Sequence, residues 1–141
     1  MRKYLFFSFL GLLILVMFSC GKGEVESKRW DEVMKNHDVV MPLMGNINKV
    51  RKDLKTYVAE QDSLPAEQQQ SVNQLLVKLD NADEAMMDWM NGFQQLERLR
   101  NEKSHEEIMK YLDEQEKAIE VVGKEMKESI QSGLQFLKSK E

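Results

Sequence analysis

Six methionines and a histidine crowd into two short segments of this chain. One reads Met34-x-x-His37-Asp38-x-x-Met41-Pro42-x-Met44, the other Met86-Met87-Asp88-Trp89-Met90. Thioether sulfurs need no deprotonation and bind soft cations, and an imidazole adds a nitrogen donor. Copper(I) is the cation such a set suits, and silver(I) behaves alike. Met34, His37, Met41, Met44, Met86 and Met90 are the candidate ligands. The same residues have a plainer reading. Methionine is a flexible filler of helical cores, and a histidine on an apolar face is more often hydrogen-bonded inside a core than a ligand. That packing reading takes precedence, and the soft metal is its alternative. A third reading is an adaptable methionine surface that grips a partner helix. A His/Met pair can also ligate haem, but the chain has no C-x-x-C-H motif for covalent attachment.

Whether the two segments meet depends on the elements that carry them. From Trp30 onward the sequence holds two prolines, Pro42 and Pro65, and its apolar residues recur at steps of three and four. That is the pattern of amphipathic helices, with no strand-like alternation. The spacing predicts helices over 29–59, 64–100 and 104–138. Pro42 interrupts the first, with a kink expected near 38–41, because proline removes a backbone donor and crowds the carbonyl of Asp38. Asp62 or Ser63 can cap the second helix, with Pro65 in its first turn. Ser104-His105-Glu106-Glu107 has the spacing of a capping box for the third. Helices about 45–55 Å long, joined by short loops, imply antiparallel neighbours. The expected fold is all-α, an up-down-up three-helix bundle over 29–141. A helical hairpin that completes its core by self-association is the runner-up. With the first turn near residue 62, residue i of helix 1 faces about 124−i of helix 2. His37 then lies level with Met87 and Met34 level with Met90, so the segments converge.

The N-terminus carries an address. Met1-Arg2-Lys3-Tyr4 is followed by an apolar run from Leu5 to Phe18 and then Ser19-Cys20-Gly21. This is the layout of a secretory signal, and the run is short of the roughly 20 residues a membrane-spanning helix needs. Met17-Phe18-Ser19-Cys20 resembles a bacterial lipobox, with cleavage before Cys20 and a lipid on its thiol; Phe18 is bulkier than most lipoboxes carry. Residues 1–19 are therefore expected to be the signal peptide, Cys20 the lipid attachment site, and 20–28 a polar, glycine-containing tether. Several acyl chains on one residue anchor stably. Loss of Arg2 and Lys3 takes the formal net charge from −4 to −6. Such an acidic chain lacks the basic footprint of a nucleic-acid binder. The lone cysteine excludes a disulfide framework and any multi-cysteine metal site.

No catalytic constellation is visible. Once Cys20 is acylated no thiol nucleophile remains. His37 and His105 fall on different helices, and His105 reads as part of a solvated cap. The carboxylates lie on outer faces near partners such as Glu97/Arg98 and Glu116/Lys117, and no E-x-x-H pair points to a di-iron site.

The unusual segments also carry a resemblance. His37-Asp38-Val39-Val40-Met41-Pro42-Leu43-Met44-Gly45 and Ala82-Asp83-Glu84-Ala85-Met86-Met87-Asp88-Trp89-Met90 resemble the signature of small Bacteroidota lipoproteins often labelled "viral A-type inclusion protein". The resemblance covers most of the mature chain. It implies an envelope location and a helical fold, and no activity. The expectation is an exported protein, lipid-anchored to the cell envelope and facing the periplasm from the outer membrane. It is expected to act as a non-enzymatic binding or structural module, with an envelope protein or a second copy as partner. A methionine/histidine copper(I)-binding protein is the alternative.

Overall fold

The computed structural model describes residues 2–140, with side chains from residue 21 onward. The expected signal peptide over 1–19 and the expected lipid attachment site Cys20 lie outside the residues whose side chains are described. The elements are α1 (Arg2–Val40), α2 (Leu43–Ala59), α3 (Ala66–Gly92), α4 (Leu96–Glu102) and α5 (His105–Lys138). No strand occurs among the described residues. The chain is all-α, as its periodicity predicts.

Three local features depart from the expected boundaries. The first helix breaks at Met41-Pro42, at the end of the expected kink. Proline has no N–H for the Asp38 carbonyl, and the chain tightens there into three-residue steps, Met44 N–H to Met41 O and Gly45 N–H to Pro42 O, both 3.2 Å. The expected helix 64–100 is two helices. It stops at Gly92, and Phe93 and Gln95 are extended before α4 begins. Third, the expected tether 20–28 is helical from Gly21 onward and continuous with the helix that carries Trp30. Its partners lie more than 70 residues away in sequence, so local composition could not reveal them. The start of α5 is as expected. Ser104 accepts from Glu107 N–H, and the Glu107 carboxylate accepts from Ser104 N–H at 2.8 Å.

Long helix α5 lies against α1, α2 and α3. Arg29 meets Asp113 and Glu116, Val40 meets Gly123, Val50 meets Gly133, and Tyr57 meets Phe136. Both numbers rise together, so α5 runs alongside α1 and then α2 in the same sense. Between α1–α2 and α3 the numbers run oppositely. Trp30 contacts Phe93, His37 contacts Trp89, Arg51 contacts Asp80, and Tyr57 O–H donates to Gln68 Oε1 at 2.9 Å.

The core follows the predicted stripes: Val33, Val40, Ile47, Val50 and Leu54 from the first arm, Val72, Leu79, Ala82 and Met86 from α3, and Ile108, Leu112, Ile119, Val122 and Met126 from α5. Two apolar residues at helical spacing are instead exposed, Leu134 (46%) and Met41 (39%). Three small residues of α5, Gly123, Ser129 and Gly133, are buried, and at the two glycines a side chain would not fit. A Cβ on Gly123 would stand 2.7 Å from Val40 Cγ2. Among the described residues no helix is long and apolar enough to cross a membrane.

Candidate functional site

The methionine–histidine segments lie on α1, α2 and α3, and the expected convergence holds to within two residues. The His37 ring stacks on Trp89 with centroids 5.5 Å apart. Trp89 also stacks on Phe93 at 4.8 Å, and Phe93 contacts Trp30 at 5.8 Å and Tyr111 at 6.2 Å. His37 therefore ends an aromatic ladder that crosses from α1 through α3 to α5. Such pairs add stabilisation of about 0.5–1.5 kcal/mol each beyond area burial. Its Nδ1 lies 3.0 Å from Asp38 Oδ1.

The six candidate ligands do not share one environment. Met86 is fully buried in the core, and Met44 and Met90 pack against it. Met34 is half-buried on the same helix as His37. Met41 stands out to solvent on the Pro42 turn. Met41 continues the three- and four-residue spacing of Met34, His37 and Met44, but the break rotates it away. Among the described residues no group of three or more histidine, cysteine, aspartate or glutamate side chains is placed to hold a metal ion.

The ladder leaves polar atoms without partners. The indole N–H groups of Trp30 and Trp89 and the side-chain oxygen of Gln94 are buried and unbonded. Each such group costs about 1–3 kcal/mol relative to a satisfied one. Nearby, the Tyr111 hydroxyl accepts from Gln94 N–H at 2.8 Å across the α3–α4 break. Burial pushes this phenol up from its usual value of 10.0, and the bond from Gln94 opposes the rise.

A second polar centre went unseen in the sequence. Glu26, only 5% exposed, sits on the inner face of α1. Arg100 Nε donates to Glu26 Oε2 at 2.9 Å, and His105 Nδ1 lies 2.8 Å from Glu26 Oε1. The Arg100 fork also donates to Gly23 O at 2.6 Å and to Ser27 Oγ at 2.9 Å, and the Ser27 hydroxyl donates to Gly23 O at 3.0 Å. Glu97 holds the remaining end of the guanidinium at 2.8 Å. One turn earlier, Lys22 pairs with Glu106 at 3.4 Å. Burial alone would raise the Glu26 carboxyl. The bonds from His105 and Arg100 outweigh it and hold the group below its ordinary range. The carboxylate at the first turn of α5 is also favoured by the helix dipole.

His105 is thus a partner of a buried carboxylate and not a solvated cap residue. The signal for Glu26 was present in outline. Trp30, Val33, His37, Val40, Met44 and Ile47 follow alternating steps of three and four, and one step further back lands on Glu26. A charge on a buried stripe demands a partner.

Two other ion-pair groups tie helices together. Arg29 binds Glu116 and Asp113 of α5 as well as Glu32, and its guanidinium is held above its usual range first by the Glu116 bond and then by Asp113. Glu116 therefore serves Arg29 in place of the expected Lys117. Arg51 reaches Asp80 at 2.7 Å and Asp83 at 3.4 Å on α3. Comparison of the chain with protein-family models, with curated proteins and with solved structures gives no match.

Proposed function

We propose that this chain is an exported, lipid-anchored helical module of the cell envelope that binds or braces a partner without turning over a substrate. Its anchor is Cys20, and its architecture is an up-down-up bundle of three arms: α1–α2, α3–α4 and α5. The parallel pairings of α5 with α1 and α2, and the opposed pairings of α3, support that architecture. The observation that carries the non-catalytic reading is how the polar residues are used. Glu26, Arg29, Arg51, Arg100 and His105 are each engaged by side chains of another helix. The reactive side-chain types are spent on holding helices together. The resemblance to small Bacteroidota lipoproteins agrees with this reading.

Growth of the producing cell with an alkyne fatty acid tests the anchor. The protein should take up the label and sediment with membranes, and Cys20→Ala should lose both. An unlabelled wild-type protein overturns the anchor.

One observation favours the narrower copper(I) reading. Asp38 engages Nδ1 of His37, the arrangement by which a carboxylate orients an imidazole for metal through its other nitrogen. Met90 directly follows Trp89, on which His37 stacks, and Met34 lies one helical turn before His37 on α1. Anaerobic titration of the full chain in detergent with copper(I), against a chromophoric competitor, decides the matter. One tight equivalent that His37→Leu abolishes supports the site. Binding no better than that of a methionine-poor helical protein removes it, and the methionines are then packing alone.

A further inference from the structure

Residues 21–28 sit between the proposed lipid and the bundle, and what they do sets how the bundle stands on a membrane. As a free tether, eight residues would have an r.m.s. span of roughly 16 Å and no preferred direction. They are instead a helix, and four contacts from the α4–α5 corner close on it. Arg100 binds one Glu26 oxygen, His105 binds the other, and the same Arg100 reaches the Gly23 carbonyl and the Ser27 hydroxyl. The approach does not depend on glycine at position 23. A Cβ there would lie 3.7 Å from Arg100 Nη2, in ordinary contact. The site needs its parts from three places. The α3–α4 break brings Arg100 in, the Ser104 cap starts α5 with His105 in its first turn, and Glu26 extends the inner stripe of α1. Charge-assisted bonds to a fork are the stronger and more directional kind.

We infer that Glu26, Arg100 and His105 form a clasp that locks the segment following Cys20 onto the α4–α5 corner, so that the bundle stands upright on its anchor with the turn at 60–65 as its outermost end. From Gly21 to Ala59 the first arm spans about 55 Å at about 1.5 Å per residue, which sets the height of that turn. The rigidity of the clasp stands on the contacts themselves. Its consequence at a membrane rests on the proposed anchoring through Cys20.

The full lipidated chain in vesicles of phosphatidylethanolamine and phosphatidylglycerol tests both levels. Amide hydrogen exchange at 22–30 reads the clasp, and exchange at 119–126 in α5 reports whether the core is intact. In the wild type the first segment should be protected. Glu26→Ala removes the bonds to both Arg100 and His105 and should speed its exchange by at least about 10–100-fold, the factor carried by a single charged hydrogen bond, while leaving α5 unchanged. If Glu26→Ala also loosens α5, Arg100→Lys keeps the charge, removes the fork and should give the same local effect. Wild-type exchange at 22–30 as fast as in a free peptide, or no change in either variant, overturns the clasp.

Orientation is read by energy transfer from a dye on Asp62→Cys to an acceptor on the lipid headgroups. Transfer should be weak with the clasp intact and rise when it is broken. Equal transfer in both states overturns the upright stance. If the protein does not stay on the vesicles, the anchor reading fails instead. The exchange result then still decides the clasp.

Discussion

Gly123 and Gly133 are the residues where one methyl group decides whether two helices can touch. Val40 and Val50 occupy the space their side chains would fill, and valine in a helix has little rotamer freedom to yield. Gly133→Ala should therefore destabilise by about 1–3 kcal/mol despite alanine's better helix propensity. Gly45 faces open space. Gly45→Ala should stabilise by up to about 1 kcal/mol. Urea midpoints of the two variants should move in opposite directions, and equal shifts would refute the close approach. Met86 allows a parallel comparison. It is fully buried, so Met86→Ala should cost about 2–5 kcal/mol, whereas Met86→Leu keeps the volume and should cost less than about 1.5 kcal/mol. A leucine variant that abolished copper(I) binding with the fold intact would instead mark the sulfur as a ligand.

At the scale of elements, helix ends and breaks do the positioning. The capping box satisfies two orphan donors at the start of α5, and Glu107 is held below its ordinary range first by Ser104 N–H and then by the Ser104 hydroxyl. Ser104→Ala should cost about 1 kcal/mol in global stability. It should also weaken protection at residues 22–28, because His105 follows the cap directly. Exchange measured at both places separates the two effects. An unaffected α1 would show that Arg100 alone holds Glu26. The Pro42 break and the break at Phe93–Gln95 have a related role. One turns Met41 out of the core, and the other lets α4 swing Arg100 across to α1.

For the whole molecule, acid should weaken the clasp only once pH falls below the ordinary carboxylate range. Glu26 is surrounded by Arg100 and His105, with Glu97 and the Lys22–Glu106 pair beside them. Its folded pKa lies below the ordinary 4.5, so its contribution is complete above that pH and is lost as pH falls through the lower folded value. Denaturant midpoints from pH 6 down to 3 should fall more steeply for the wild type than for Glu26→Gln. Parallel curves would mean that Glu26 titrates alike in the folded and unfolded chains.

The residues show how far the pattern of the chain could be read. The stripe Val33–His37–Val40–Ile47 and its counterparts in α3 and α5 determined the helical class, the core and the level at which His37 meets α3. Periodicity and loop length suffice for these, since burial of an apolar stripe is a local property repeated along a helix. The cap at Ser104 was legible for the same reason, its donors and acceptors lying within four residues. Tertiary structure alone decided what the polar residues do. Glu26 meets Arg100 and His105 across more than 70 residues, Arg29 takes Glu116 from α5, and the α5 glycines matter only because particular valines lie against them. A charge can be satisfied by any opposite charge, and which one lies in reach is set by the packing of whole helices.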